Sequence, residues 1–172
     1  NRYHMSGLDR TTRNYDLLVK ELELLSVPFI DGLAFVLDLK ATSPYRVFPK
    51  GGTHWSQHTS CLVVAKMAEQ LSKLLGRAIP GAVCDPPEVK ETPEPFDRDL
   101  ADLSNIWNVS RFFTPLPYPP IHRGEDTSLR PNLIFIGGSF LWTIFESFEQ
   151  NNIYRERTML YYFKRSFHFP SG

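Results

Sequence analysis

The sequence predicts an α/β domain in which helices flank a mostly parallel sheet. Three observations carry that expectation. A helical apolar period over about residues 11–25 is followed by the short apolar run SVPFIDG. A second helical period fills 56–75, and PNLIFIGGSFLWTIFESF joins an apolar run to a glycine turn and a third helical period. Helices alternating with strands belong to α/β architecture. An uninterrupted apolar run such as Leu133–Ile136 suits a central parallel strand buried on both faces.

Taken in order, Tyr15, Leu18, Leu22 and Leu25 share one face of the first helix. Asp9 or Thr11 would cap it. SVPFIDG is expected to be a buried strand closed by a turn at Asp31-Gly32. Cys61, Val64, Ala68, Leu71 and Leu75 line one face of the helix over 56–75, with Ser56 as N-cap and Gly76 as stop. Ten of the 14 prolines then fall within 79–131, so that stretch is expected to be a long excursion. It carries one short helix around Asp97–Leu103, and Ile106, Trp107, Phe112 and Phe113 are expected to be buried. Leu133–Ile136 is a strand, Gly137-Gly138-Ser139 a tight turn, and Phe140, Ile144 and Phe148 restart a helical period. The tail TMLYYFKRSFHF alternates Met159, Tyr161 and Phe163 against Leu160, Tyr162 and Lys164, as one further strand does.

The 172 residues suffice for a single domain over 1–172. With 42% hydrophobic and 22% charged residues, the composition is that of a globular chain. Lys plus Arg equals Asp plus Glu at 19 each, so no net charge draws the chain to nucleic acid or an anionic membrane. No apolar run approaches the roughly 20 residues of a membrane-spanning helix. The 13% aromatic content suits an aromatic core before a ligand platform. Cys61 and Cys84 are too few for a disulfide framework, and one bridge between them stays open.

Two residues stand where chemistry is feasible. Ser139 lies between a strand and a helix, where a sharp turn presents the hydroxyl and free N–H groups favour a developing oxyanion. Leu141 takes the last place of the G-x-S-x-G pattern, and taken alone Gly-Gly-Ser after a strand is more often a plain turn with a capping serine. His54, in PKGGTHWS, precedes a helix on a loop, either as a base for a serine or as a structural histidine. His54 and His58 are four apart, but no third metal ligand accompanies them.

FPKGGTHWS before a helix, with GGSF at a strand end about 85 positions later, resembles the SGNH-like catalytic domain of the alginate O-acetyltransferase family. RNYDLLVKELELLSVPFIDG and RDLADL match segments flanking those motifs, so the resemblance covers most of the chain. It implies a three-layer SGNH-like fold, lacking its N-terminal part in this chain, with the site at the strand C-terminal ends. It implies Ser139 as nucleophile and His54 as base, with the family's oxyanion glycine and asparagine blocks upstream at no placed position. The N–H groups of Gly138 and Ser139, at the turn itself, are the expected oxyanion donors. The expected reaction is acetyl transfer to an extracytoplasmic polysaccharide, or acetyl-ester hydrolysis, without metal or cofactor. The implied partners are an acetyl donor, the polysaccharide and a membrane O-acyltransferase, in the bacterial periplasm or at the cell surface. The family places an aspartate two residues before the histidine, where this chain has Gly52. Asp31, at the end of the expected strand, is the candidate substitute acid, against its simpler role in a turn. If the loss at Gly52 abolishes catalysis, the domain instead binds glycan or an assembly partner. Trp55 and Trp142 are then candidate sugar platforms, with core packing their simpler role.

Overall fold

The computed structural model describes residues 13–105, 107–122, 129–162 and 165–169. The chain divides into two compact units, Asn1–Leu37 and Asp38–Gly172.

In the first unit, α1 (Asn14–Leu24) begins after Arg13 rather than Thr11. Asp16, in its first turn, accepts the Arg13 backbone N–H at 2.9 Å, which satisfies one free donor of the helix start. Asp9 and Thr11 lie outside the described residues. SVPFIDG is not a strand: residues 27–31 have no regular structure, and α2 (Gly32–Thr42), whose residues from Asp38 on are counted with the second unit, follows at once. Asp31 explains the start of α2, because its Oδ1 accepts the Ala34 N–H at 2.9 Å as a helix cap does. Leu33, Phe35, Val36, Leu37 and Leu39 are spread around α2 without a 3.6-residue stripe, so periodicity alone does not reveal the helix.

The second unit is built on α3 (Gln57–Leu75), capped as its sequence predicts. The Ser56 hydroxyl accepts the Thr59 N–H at 3.2 Å, and Gly76 adopts the left-handed conformation at φ 62° that ends helices. Within the excursion, β1 (Glu88–Lys90) pairs antiparallel with β2 (Leu116–Tyr118), and α4 (Asp99–Leu103) follows a single 3-10 turn at Pro95–Arg98. The strand, turn and helix at the Gly-Gly-Ser motif are β3 (Leu133–Gly137) and α5 (Leu141–Gln150). The tail forms two strands instead of one, β4 (Arg157–Tyr161) and β5 (Arg165–Phe169).

The expectation of a three-layer, mostly parallel SGNH-like sheet is overturned. Among the described residues five short strands form two small sheets, β1-β2 and β3-β4-β5, and only β3 and β4 run parallel. The apolar run of β3 misled because it is not buried on both faces. Phe135 points into the core, while Ile134 and Ile136 are 71% and 75% exposed. The run therefore has the alternation of a strand covered on one side. That side meets α3 and α5, where Val64, Ala68, Phe135, Phe145, Phe148, Ile153 and Met159 form the core. Burying Phe148, Ile153 and Met159 completely contributes about 1.5–3 kcal/mol apiece. Cys61 on α3 and Cys84 form a disulfide with Cα atoms 5.7 Å apart, tying the start of the excursion to this core. Trp107 is not buried as expected but 96% exposed, Phe113 is half-buried, and Ile106 and the Phe112 side chain lie outside what is described.

Candidate functional site

The loop before α3 and the turn before α5 come together in the second unit. Trp55 Nε1 donates to Thr143 Oγ1 at 2.8 Å, and Thr143 Oγ1 donates to the Phe140 carbonyl at 3.0 Å. The Phe140 ring packs on both His54 and Trp55, with centroids 4.9 and 5.0 Å away. Phe96, from the excursion, packs on His54 at 4.9 Å. His54 is consequently 9% exposed although it sits on a loop.

The polar surroundings of His54 come from Asp99, which lies in RDLADL and has no role assigned from the sequence. Thr53 Oγ1 donates to Asp99 Oδ2 at 2.6 Å and lies 3.0 Å from His54 Nδ1. Asp99 Oδ2 is itself 3.5 Å from Nδ1. The Thr53 N–H donates to Asp99 Oδ1 at 2.8 Å, as does the Leu100 N–H. Burial works to raise the Asp99 pKa, but the Thr53 hydroxyl and N–H, the Leu100 N–H and His54 outweigh it, so the pKa lies below the ordinary value. An ionised carboxylate only accepts, so the single Thr53 hydroxyl proton goes to Asp99. The hydroxyl lone pairs then face Nδ1, which assigns the imidazole proton to Nδ1 and leaves Nε2 as the basic nitrogen. Among the described residues, Nε2 makes no hydrogen bond.

Gly51 and Gly52 let Asp99 arrive. A Cβ at Gly52 would stand 2.7 Å from both the Asp97 carbonyl oxygen and Pro49 Cγ, and one at Gly51 would stand 3.0 Å from Ala101 Cβ. The Gly51 carbonyl also accepts the Ala101 N–H at 2.8 Å. The segment 97–101 thus lies across the Gly-Gly pair, in space that a side chain at residue 52 would need. Asp31, the substitute acid expected from the sequence, is otherwise engaged: its oxygens accept from the Tyr15 hydroxyl and the Ala34 N–H in the first unit.

Ser139 stands in the turn between β3 and α5, next to Phe140. Its carbonyl accepts the Trp142 N–H at 3.2 Å and that of Gly138 accepts the Leu141 N–H at 3.0 Å. Among the described residues the N–H groups of Gly138 and Ser139 donate to nothing, which suits an oxyanion site at a helix start. The Ser139 hydroxyl makes no hydrogen bond to His54; the side chain in contact with the imidazole is Phe140. The Ser139 turn and His54 are therefore neighbours through Phe140, without a hydrogen bond between the two side chains.

His54 and His58 hold different carboxylates. His58 Nε2 is 3.1 Å from Asp85 Oδ1, and no cluster of metal-ligating side chains occurs among the described residues. Trp142 packs on Phe145, Tyr161 and Phe167 at the edge of the core, and Trp55 is held by Phe140 and Thr143. Neither is an open platform. Asp97, two residues before Asp99, is buried without a well-formed hydrogen bond among the described residues. Burial raises its pKa, the neighbouring Tyr118 hydroxyl lowers it, and Glu146, Glu94 and Asp99 raise it further, to about 6. No helix among the described residues is long and apolar enough to cross a membrane. Compared with protein-family models, with curated proteins and with solved structures, the chain has no match.

Proposed function

We propose that this domain transfers an acetyl group through Ser139, with His54 as base and Asp99 as the carboxylate that orients it. The observation that carries the reading is the Thr53–Asp99 clamp on His54 Nδ1 beside the Ser139 turn. Ser139 Oγ attacks the carbonyl carbon of an acetyl ester while Nε2 takes its proton. The N–H groups of Gly138 and Ser139 receive the negative charge on the carbonyl oxygen. Asp99 and Thr53 keep Nδ1 protonated and stabilise the imidazolium as it forms. The donor ester C–O bond then breaks, the departing alcohol takes the proton from Nε2, and the resulting acetyl-serine passes its acyl group to a sugar hydroxyl, or to water in the hydrolytic variant of the same chemistry. The Ser139–Nε2 contact belongs to the substrate complex, since catalytic hydrogen bonds commonly tighten only there.

The motif resemblance to the alginate O-acetyltransferase family supports a polysaccharide acceptor, an acetyl donor supplied by a membrane O-acyltransferase, and a periplasmic or surface site of action. The Cys61–Cys84 disulfide supports an oxidising compartment. The unmade Ser139–His54 bond favours the second reading, an impaired domain that binds glycan. Acetyl release from an aryl acetate separates the two. Turnover by the wild type that drops at least about 10³-fold in both Ser139→Ala and His54→Ala supports acyl transfer. Equal silence of three folded proteins supports the binder.

A further inference from the structure

Phe96 separates His54 from a cavity of about 830 Å³, a size common for ligand clefts. Its wall also carries Tyr118, Gln57, Glu94, Glu146 and Gln150. The half-buried Phe96 ring beside carboxylates and carboxamides forms a surface suited to a sugar, whose C–H face lies on the ring while its hydroxyls meet polar side chains; the Tyr118 ring is buried. Gln150 Nε2 donates to Glu146 Oε1 at 3.2 Å, so those two groups already present a joined polar edge.

The charge of the wall is one-sided. Among the described residues Glu88, Glu94 and Glu146 face a single ammonium, Lys90, whose Nζ is bound to Glu94 Oε1 at 2.7 Å and lies 4.9 Å from the Tyr118 ring centroid. Burial raises the Glu146 pKa, and the charges of Glu149 and Glu94 add to the rise. A carboxylate on an entering sugar would meet the same repulsion, with Lys90 already paired.

We infer that this cavity seats the acceptor, and that it admits saccharides without carboxylates and rejects polyuronates such as alginate. The acceptor role rests on the acyl-transfer reading above. In that step a hydroxyl on the unit of the seated polymer that extends past Phe96 attacks the acetyl carbonyl on Ser139 and loses its proton to His54 Nε2. The new ester C–O bond forms as the Ser139 C–O bond breaks, and Ser139 takes the proton back from His54.

Calorimetry on the Ser139→Ala protein, which binds without turnover, tests the inference with tetramers of glucose, glucosamine and mannuronate. The glucose or glucosamine tetramer is expected to bind, with mannuronate at least about tenfold weaker. Glu146→Lys should narrow or reverse that order, and Glu94→Gln, a gentler change, should narrow it. Mannuronate binding as tightly as the others overturns the inference, as does an unchanged order in both variants. So does the absence of binding by all three sugars. Glucosamine binding that disappears in about 0.5 M salt without any glucose binding is charge attraction alone and also overturns it. Sugar binding by a protein whose wild type releases no acetyl sinks the enzymatic reading and leaves the saccharide site standing. Acetyl release without sugar binding does the reverse.

Discussion

Two buried histidines flank the start of α3, and they differ in which nitrogen is engaged. His54 offers Nδ1 to Thr53 and Asp99, and its Nε2 has no partner among the described residues. His58 places Nε2 against Asp85, 3.1 Å away, with the Tyr45 ring edge-on at 5.3 Å. Asp99 is 31% exposed and held by two backbone N–H groups and a hydroxyl, whereas the Asp85 side chain is 65% exposed. A histidine–carboxylate pair is therefore not enough to identify a base. What matters is a preorganised carboxylate on one nitrogen, a free second nitrogen and an acceptor site for charge nearby. The turn that carries Ser139 abuts His54 through Phe140, so the features that the proposed base needs lie together there.

The largest test of that contrast removes the orienting charge. Asp99→Asn keeps the shape but lets the amide donate toward Thr53 and Nδ1, which favours the wrong tautomer. Aryl acetate kcat is expected to fall about 10²–10⁴-fold with KM little changed. A fall of less than about threefold removes Asp99 from the mechanism. Gly52→Asp comes next. An aspartate at 52, as in the family that the motifs resemble, is not expected to form a triad here, because its Cβ would meet the Asp97 carbonyl oxygen and Pro49 Cγ at 2.7 Å. The segment carrying Asp99 must shift, so thermal unfolding should show a loss of about 1–3 kcal/mol, with turnover reduced rather than raised. Higher activity in this variant would mean that Asp99 is dispensable.

Asp97 gives a third test, one that sharpens the roles of the two acids in the same segment. Its pKa is raised from 3.8 to about 6 in the folded protein, so the folded state holds that proton more tightly than the unfolded chain does. Stability therefore falls as pH rises through that window and stays lower above it. Asp97→Asn should raise the unfolding free energy at neutral pH by about 2 kcal/mol and flatten the melting temperature across the same window. A destabilised variant, or an unaltered pH slope, would show that the buried carboxylate is compensated in solution. The smallest effect belongs to the other histidine. His58→Gln should leave aryl acetate turnover within about threefold of wild type, at a cost in melting temperature alone. A loss comparable to that of His54→Ala would erase the distinction between the two rings.

The capping logic of α3 was legible in the sequence because caps and apolar stripes are local. Ser56 and Gly76 act within one turn of the residues they satisfy. The strand–turn–helix at 133–150 was legible for the same reason. Sheet architecture was not, since four consecutive apolar residues say nothing about how many faces are covered. Ile134 and Ile136 show that the run Leu133–Ile136 is covered on one. The strand expected at SVPFIDG failed because an apolar run next to an Asx cap fits a helix approach as well as a strand end. Asp31 there caps α2.

By itself, then, the sequence determined α3 with its caps, the Gly-Gly-Ser turn at a helix start and the loop that offers His54. These depend on neighbours a few residues away, where backbone geometry dictates the spacing. The tertiary structure alone decided the partner of that histidine. Thr53 and Asp99 lie 46 residues apart in sequence, and no spacing rule links them. Their meeting depends on a Pro-rich excursion folding back across two glycines whose missing side chains leave the room. It also depends on three donors that make the half-buried carboxylate cheaper to keep charged than to protonate.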